Sequence, residues 1–175
     1  KADLQDAAAM QQLLPRIHLE LASIDGAQHI YLNGEDVSET IRQEQVGMAA
    51  SAVAAHPCVR EFLLGLQRGM AEKQNVLMDG RDIGTVILPK ATVKIFLTAS
   101  PEARAQRRMK ELVEKGQPAD YEKVLEDIRQ RDYQDTHRKT APLRQAEDAV
   151  LADTSELDFE ESFALLKKII AEKAG

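Results

Sequence analysis

The chain has no tryptophan, a single cysteine and few aromatic side chains, 4% of its 175 residues. With Cys58 alone, no internal disulfide can form. The fold must then rest on packing, and a reducing compartment suits it. Cys58 follows His-Pro in an apolar context and reads as a small buried hydrophobe. No apolar run is long enough to span a bilayer and no signal peptide is found, so a cytoplasmic protein with no membrane partner is expected. Basic residues are in deficit, 23 Lys and Arg against 29 Asp and Glu, for a net charge of −6. Non-specific nucleic-acid binding needs the opposite balance. His18, His29, His56 and His137 lack metal-ligand spacing, and there is no His/Cys cluster, so no protein-held metal is expected. Internal repeats and low-complexity linkers are also missing. The remainder, 43% hydrophobic and 30% charged, is ordinary for one soluble domain, or one domain with a small insert.

Along the chain, Asp3 to Leu14 reads as a short helix stopped by Pro15. Ile17–Leu21 alternates like a strand, Asp25-Gly26 is a turn, and His29–Leu32 reads as the returning strand. Asn33-Gly34 marks a second turn before the short segment Val37–Ile41. Helices are predicted over Arg42–Ala55 and Val59–Glu72, the second weakened by Gly65 and Gly69. Strands are predicted at Val76–Met78, Val93–Leu97 and Val150–Ala152. Ser100 caps a helix with Pro101 at its first position, running to about Lys115. Gly116-Gln117-Pro118 breaks it, and Asp120 caps another reaching about Arg138. Asp158 or Glu160 starts a last amphipathic helix with Phe163, Leu166, Ile169 and Ile170 inward. Strands alternating with helices imply an α/β fold with a parallel sheet flanked by helices, preceded by a small antiparallel block.

The run from Val76 to Thr85 carries the strongest chemical signal. It is apolar to Met78, then abruptly Asp79-Gly80-Arg81-Asp82-Ile83-Gly84-Thr85. In open α/β sheets ligands bind at the carboxyl ends of strands. An Arg-Asp pair at such an end offers a bidentate donor for phosphate and an acceptor for an amino group. A second signal lies on the helix after Asp120. Val124, Ile128, Arg131, Asp135 and Arg138 recur at spacings of four, three, four and three, so they share one stripe. It is apolar and then ionic, as for a face passing from core to cleft. A solvated helix end with intrahelical ion pairs is the plainer alternative, at about 0.2–0.5 kcal/mol per pair. Third, Arg104, Arg107 and Arg108 occupy one helix leading into the Gly-Pro break. They suit a lid that brings cations onto a polyphosphate, or simply a basic surface helix. Ser51 and Arg60 flank the His56-Pro57 break and could share a pocket, though spacing alone does not raise them above surface residues.

Together these segments resemble the bacterial cytidylate kinases, a family of nucleoside monophosphate kinases. The resemblance is carried by Asp79–Val86 with Leu88-Pro89, by Lys94–Ser100, by Arg131–Arg138 with Ala141–Leu143, and by Asn33–Ser38 with Ile41-Arg42. It covers essentially the whole chain in order. It implies a P-loop nucleoside monophosphate kinase-like fold. Residues 1–72 would be a monophosphate-binding region with an antiparallel insert at about 16–41. Segments 73–100 and 139–175 would form the core, and 101–138 the lid and flanking helices. The implied reaction is transfer of the ATP γ-phosphoryl group to CMP or dCMP with Mg²⁺, by a monomer. The resemblance assigns Ser51, Arg60 and Asp82 to the cytosine edge, with Asp82 accepting from the exocyclic amine. Arg81 and Arg138 would hold the acceptor phosphate, and Arg131 and Asp135 would meet the sugar, with Arg131 also near the transferring charge. Arg104, Arg107 and Arg108 would approach ATP.

One departure is large. The loop G-x-x-x-x-G-K-[ST] does not occur in these 175 residues, nor does the Asp-Ser-Gly segment that follows it in the family. A further segment before Lys1 that carries this loop is expected, and residues 1–175 alone are expected to be inactive. The competing readings are a nucleotide-sensing domain without catalysis and an unrelated acidic interaction protein.

Overall fold

The computed structural model describes residues 4–54 and 56–175, with only the backbone described at 44, 45, 48, 51 and 52. The chain divides into two compact units, 1–76 and 77–175.

In the first unit, helix α1 (Ala7–Leu13) is capped by the Asp6 side chain, which accepts from Ala8 N–H. Strands β1 (Leu19–Ile24), β2 (Ala27–Leu32) and β3 (Glu35–Asp36) form an antiparallel sheet in that order. Both connections are two-residue turns with positive φ: Asp25 at 51° and Gly26 at 79°, then Asn33 at 52° and Gly34 at 86°. Asp-Gly and Asn-Gly are the sequences that tolerate two left-handed residues in succession, and this turn matches the strand twist. The turns therefore set the register, Ile24 opposite Ala27 and Leu32 opposite Glu35. β1 runs three residues past its predicted end because the first turn, not the alternation, terminates it. Val37–Ile41 is no strand; Thr40–Arg42 form a 3₁₀ turn instead.

Helices α2 (Glu44–Val53) and α3 (Pro57–Lys73) follow. Pro57 opens α3, where its missing N–H costs nothing. Gly65 and Gly69 lie within α3 with no heavy atom near a built Cβ, so neither breaks it nor permits a close approach. Met10 and Val59 are the buried apolar residues of this unit among those described.

In the second unit, strands β4 (Ile95–Thr98) and β5 (Val150–Asp153) pair in parallel, Ile95 with Val150 through Thr98 with Asp153. Three helices flank them: α4 (Pro101–Glu114), α5 (Tyr121–His137) and α6 (Phe159–Ala174). Each begins as the sequence predicts. Ser100 accepts from Ala103 N–H, Asp120 from Glu122 and Lys123, and Asp158 forms a reciprocal capping box with Glu161. Ala105, Leu125, Ala152 and Ile169 form the interior, with Ile87 and Ala99.

Two expectations fail here. Val76–Met78 is not a strand: residues 75–79 have no regular structure, and Leu77 is 93% exposed. A strand exists by ladder pairing, and among the described residues this apolar run has no partner strand. On α6, Ile169 is buried but Phe163 and Ile170 stay exposed, since a two-strand sheet gives the helix little apolar surface to cover.

Candidate active site

Because Val76–Met78 is not a strand, Arg81 and Asp82 do not ride on a strand tip. They lie on a loop that passes into a single π-helical turn, Ile83–Ile87, for which the sequence pattern carries no signal. Such turns are uncommon and recur at functional sites. Asp82 stands at its head, and its carbonyl accepts from both Val86 N–H at 2.8 Å and Ile87 N–H at 3.2 Å. Gly80 permits the approach: a Cβ there would sit 2.9 Å from Ile83 Cγ1. Ile87 anchors the turn in the interior.

Facing this turn is the C-terminal end of α5. Arg81 Nε donates to Asp135 Oδ2 at 2.8 Å. Arg138 Nη2 lies 4.0 Å from Asp82 Oδ1. The two Arg-Asp motifs, 54 residues apart in sequence for Arg81 and Asp135, therefore meet as two crossed ion pairs. Arg138 is the C-cap rather than a helical residue, with extended backbone. Its Nε donates to the Ala141 carbonyl at 2.7 Å. Ala141 holds φ at +48°, a left-handed conformation that costs a residue with a Cβ about 1 kcal/mol or more. Leu143 N–H closes the loop onto the Asp135 carbonyl at 2.8 Å.

The loose pair has one unusual property. Arg138 Nη2 is buried and has no hydrogen-bond partner among the described residues. A buried donor left unpaired costs about 1–3 kcal/mol, and such groups are uncommon. An anionic oxygen placed beside Arg138 would satisfy it.

The rest of α5 shows which stripe faces inward. Leu125 is buried and Ile128, Asp132 and Asp135 are half-buried, whereas Arg131 is exposed. Asp132 was not singled out from sequence, although it stands seven residues after Leu125 and four after Ile128, on the same face. It takes Arg104 as a fork, Nη1 to Oδ1 at 2.8 Å and Nη2 to Oδ2 at 2.5 Å, while Arg104 Nε donates to the Ala99 carbonyl at 2.9 Å. The Asp132 carboxyl is held below its usual range by this hydrogen-bonded guanidinium, and the Arg104 pKa is raised in turn. A second cross-brace, Arg129 to Glu102 at 2.8 Å, joins the same two helices.

Arg107 is also engaged. It donates to the Thr154 and Leu157 carbonyls, and Thr154, itself buried, donates to the Thr98 carbonyl at 3.1 Å. Arg108 is exposed and pairs with Glu111, one turn on in α4, at 2.9 Å. The three arginines of α4 are thus in three different situations. Arg60 is half-buried in the first unit, at the start of α3. Ser51 lies on α2, and its side chain is outside the described residues.

Among the described residues no three His, Cys, Asp or Glu side chains are grouped to hold a metal ion, and no helix is long and apolar enough to cross a membrane. The family model described as cytidylate kinase matches residues 1–172. Proteins named cytidylate kinase are similar over nearly the whole chain. The one from Geobacillus thermodenitrificans is 49% identical over 173 residues, 99% of this chain and 77% of its own length. That of Carboxydothermus hydrogenoformans is 48% identical over 97% of this chain and 77% of its own. That of Rhodococcus jostii is 44% identical over 99% and 76%.

Proposed function

Because the chain belongs to the cytidylate kinase family, we propose that it transfers the γ-phosphoryl group of ATP to CMP or dCMP, giving CDP or dCDP. A phosphate oxygen of the nucleoside monophosphate attacks the γ-phosphorus, the bond to the β–γ bridging oxygen breaks, and ADP leaves. Little covalent chemistry falls to the protein, which must place cations where charge gathers.

The observation that carries this reading is the buried, unpaired Nη2 of Arg138, beside Asp82 and across from Arg81. An acceptor phosphate would satisfy that donor and draw on Arg81 as its second cation. Asp82 would accept from the cytosine amine, as carboxylates do toward C N4 in nucleic acids. Asp135 and Arg131 would meet the sugar, with Arg131 free to follow the transferring charge. Ser51 and Arg60 keep the base-reading roles that the family resemblance assigns them. Toward ATP, Arg108 would be recruited most cheaply, since its one-turn ion pair is worth about 0.3–0.5 kcal/mol. Arg104 and Arg107 would first have to leave Asp132 and the Thr154 carbonyl. Mg²⁺ would arrive as the counter-ion of the ATP phosphates, a common mode for an ion that keeps much of its water. The enzyme would act as a cytoplasmic monomer.

The test is phosphoryl transfer from ATP by the full-length protein to CMP, dCMP, UMP, AMP and GMP. Preference for the cytosine nucleotides is expected. Equal use of AMP or GMP would defeat the assignment.

A further inference from the structure

One buried charge has no task in this chemistry. Lys94 directly precedes β4, and its side chain is only 8% exposed. An ammonium taken out of water is costly unless fully paired, and an apolar residue could fill the same space. Its partners lie on separate segments of the second unit. Nζ donates to the Pro89 carbonyl at 2.5 Å and pairs with Asp148 Oδ2 at 2.6 Å. The aliphatic stem lies under Gly84, where a Cβ would be 3.3 Å from Lys94 Cδ and 3.5 Å from Cγ. The Lys94 carbonyl accepts from Val150 N–H at 2.9 Å, which ties the residue to the start of β5.

These contacts bracket the π turn. Gly84 is inside it, and Pro89 follows directly on its C-cap, Leu88. At the head of the turn two amides converge on the Asp82 carbonyl, so a shift of the turn is a shift of Asp82. Asp148 belongs to the loop whose other end is fixed on Arg138 and Asp135 through Ala141 and Leu143. Lys94 therefore joins the back of the Arg81–Asp82 loop to the loop behind Arg138.

We propose that Lys94 is a positioning residue for base recognition: it fixes the Asp82 carboxylate from behind the π turn and never touches the substrate. The proposal rests on the cytidylate kinase reading. Small displacements at a reacting or recognising group are expensive, about 10²-fold for an ångström. The effect of releasing the turn should therefore appear in selectivity.

The experiment measures kcat and KM of the full-length protein with CMP, UMP and ATP, beside its thermal midpoint, for the wild type, Lys94→Met and Asp148→Ala. Lys94→Met keeps the stem and deletes the charge. It should lower the CMP-over-UMP preference in kcat/KM about ten-fold, raising KM for CMP while KM for ATP stays within about two-fold. Asp148→Ala removes the counter-charge from the exposed side of the pair while Lys94 keeps its bond to the Pro89 carbonyl, and should move the same ratio by about three-fold. If Lys94→Met does not fold, Asp148→Ala decides alone. Variants that melt lower but keep the wild-type ratio would show a purely structural lysine and overturn the proposal. A wild type without preference for CMP would remove the cytidylate kinase reading itself, and the proposal with it.

Discussion

Helix α5 carries two ionic clusters about one turn apart, and they differ in how completely their charges are paired. Around Asp132 the pairing is close: Arg104 spends three N–H groups on the Asp132 fork and the Ala99 carbonyl. Around Asp135 the pairing is loose. Arg81 makes one bond to Asp135, Arg138 stands 4.0 Å from Asp82, and a buried Nη2 has no partner. Both use the same residue types on the same helix, so charge composition does not tell them apart. The number of unmet hydrogen bonds does. A saturated cluster joins helices, whereas an unsaturated one holds capacity for a ligand at a cost in stability.

The sharpest way to break this contrast is to remove an arginine from each cluster and compare stability with turnover. Arg138→Met should lower kcat/KM for CMP by about 10²–10³-fold, the usual loss when one preorganised cation or donor is taken from a transferring phosphate. The same substitution deletes a buried unsatisfied donor but also the Nε bond to the Ala141 carbonyl, so the two effects offset and stability should change by no more than about 1 kcal/mol. Urea melts beside steady-state kinetics check both. A large loss of stability with turnover retained would place Arg138 with the scaffold.

Asp82→Ala should act next most strongly, and on discrimination more than on rate. The CMP-over-UMP ratio should fall by about 10–100-fold, as expected when a carboxylate that reads an amine is lost. Selectivity among bases left intact would remove the base-reading role.

The meeting of Arg81-Asp82 with Asp135 and Arg138 followed from the family resemblance, which gathers them around one substrate, whereas the pattern of residues on α5 suited a solvated helix end equally well. The helix starts at Ser100, Asp120 and Asp158 were legible because caps are local chemistry, and the hairpin register because Asp25-Gly26 and Asn33-Gly34 admit few turn types. What could not be read depends on partners distant in sequence. Val76–Met78 has strand composition, but a strand needs a neighbour. The π turn depends on Ile87 being buried, and composition does not encode that. Asp132 and Lys94 passed unnoticed because each resembles an ordinary surface charge until Arg104, Pro89 and Asp148 are placed around it. Lys94 left one trace: it interrupts the apolar run Val93–Leu97.

Arg104→Met tests the saturated side. Losing the fork leaves Asp132 half-buried without its cation and should cost about 1–2 kcal/mol, between the values for exposed and buried pairs. KM for CMP should change little. Arg108→Met should do the reverse, with stability unchanged within about 0.5 kcal/mol and KM for ATP raised several-fold. If Arg104→Met instead raised KM for ATP with no loss of stability, Arg104 would belong with the ligand and the contrast would fail.

The smallest effect expected is on acid stability. Asp132 titrates below its ordinary value of 3.8 because Arg104 hydrogen-bonds its charged form. A carboxyl depressed in the folded state contributes stability that is fully present above its unfolded pKa and is lost as pH falls through the folded one. The Asp132–Arg104 contribution should therefore be constant from neutrality to about pH 5 and decline below about pH 4. Asp132→Asn cannot ionise. It should start less stable at pH 7 and lose less on acidification, so the two stability curves should converge as the pH falls below the ordinary carboxylate range. Parallel curves for Asp132→Asn and the wild type would mean that the charge of Asp132 adds nothing to the hold of its fork on the two helices.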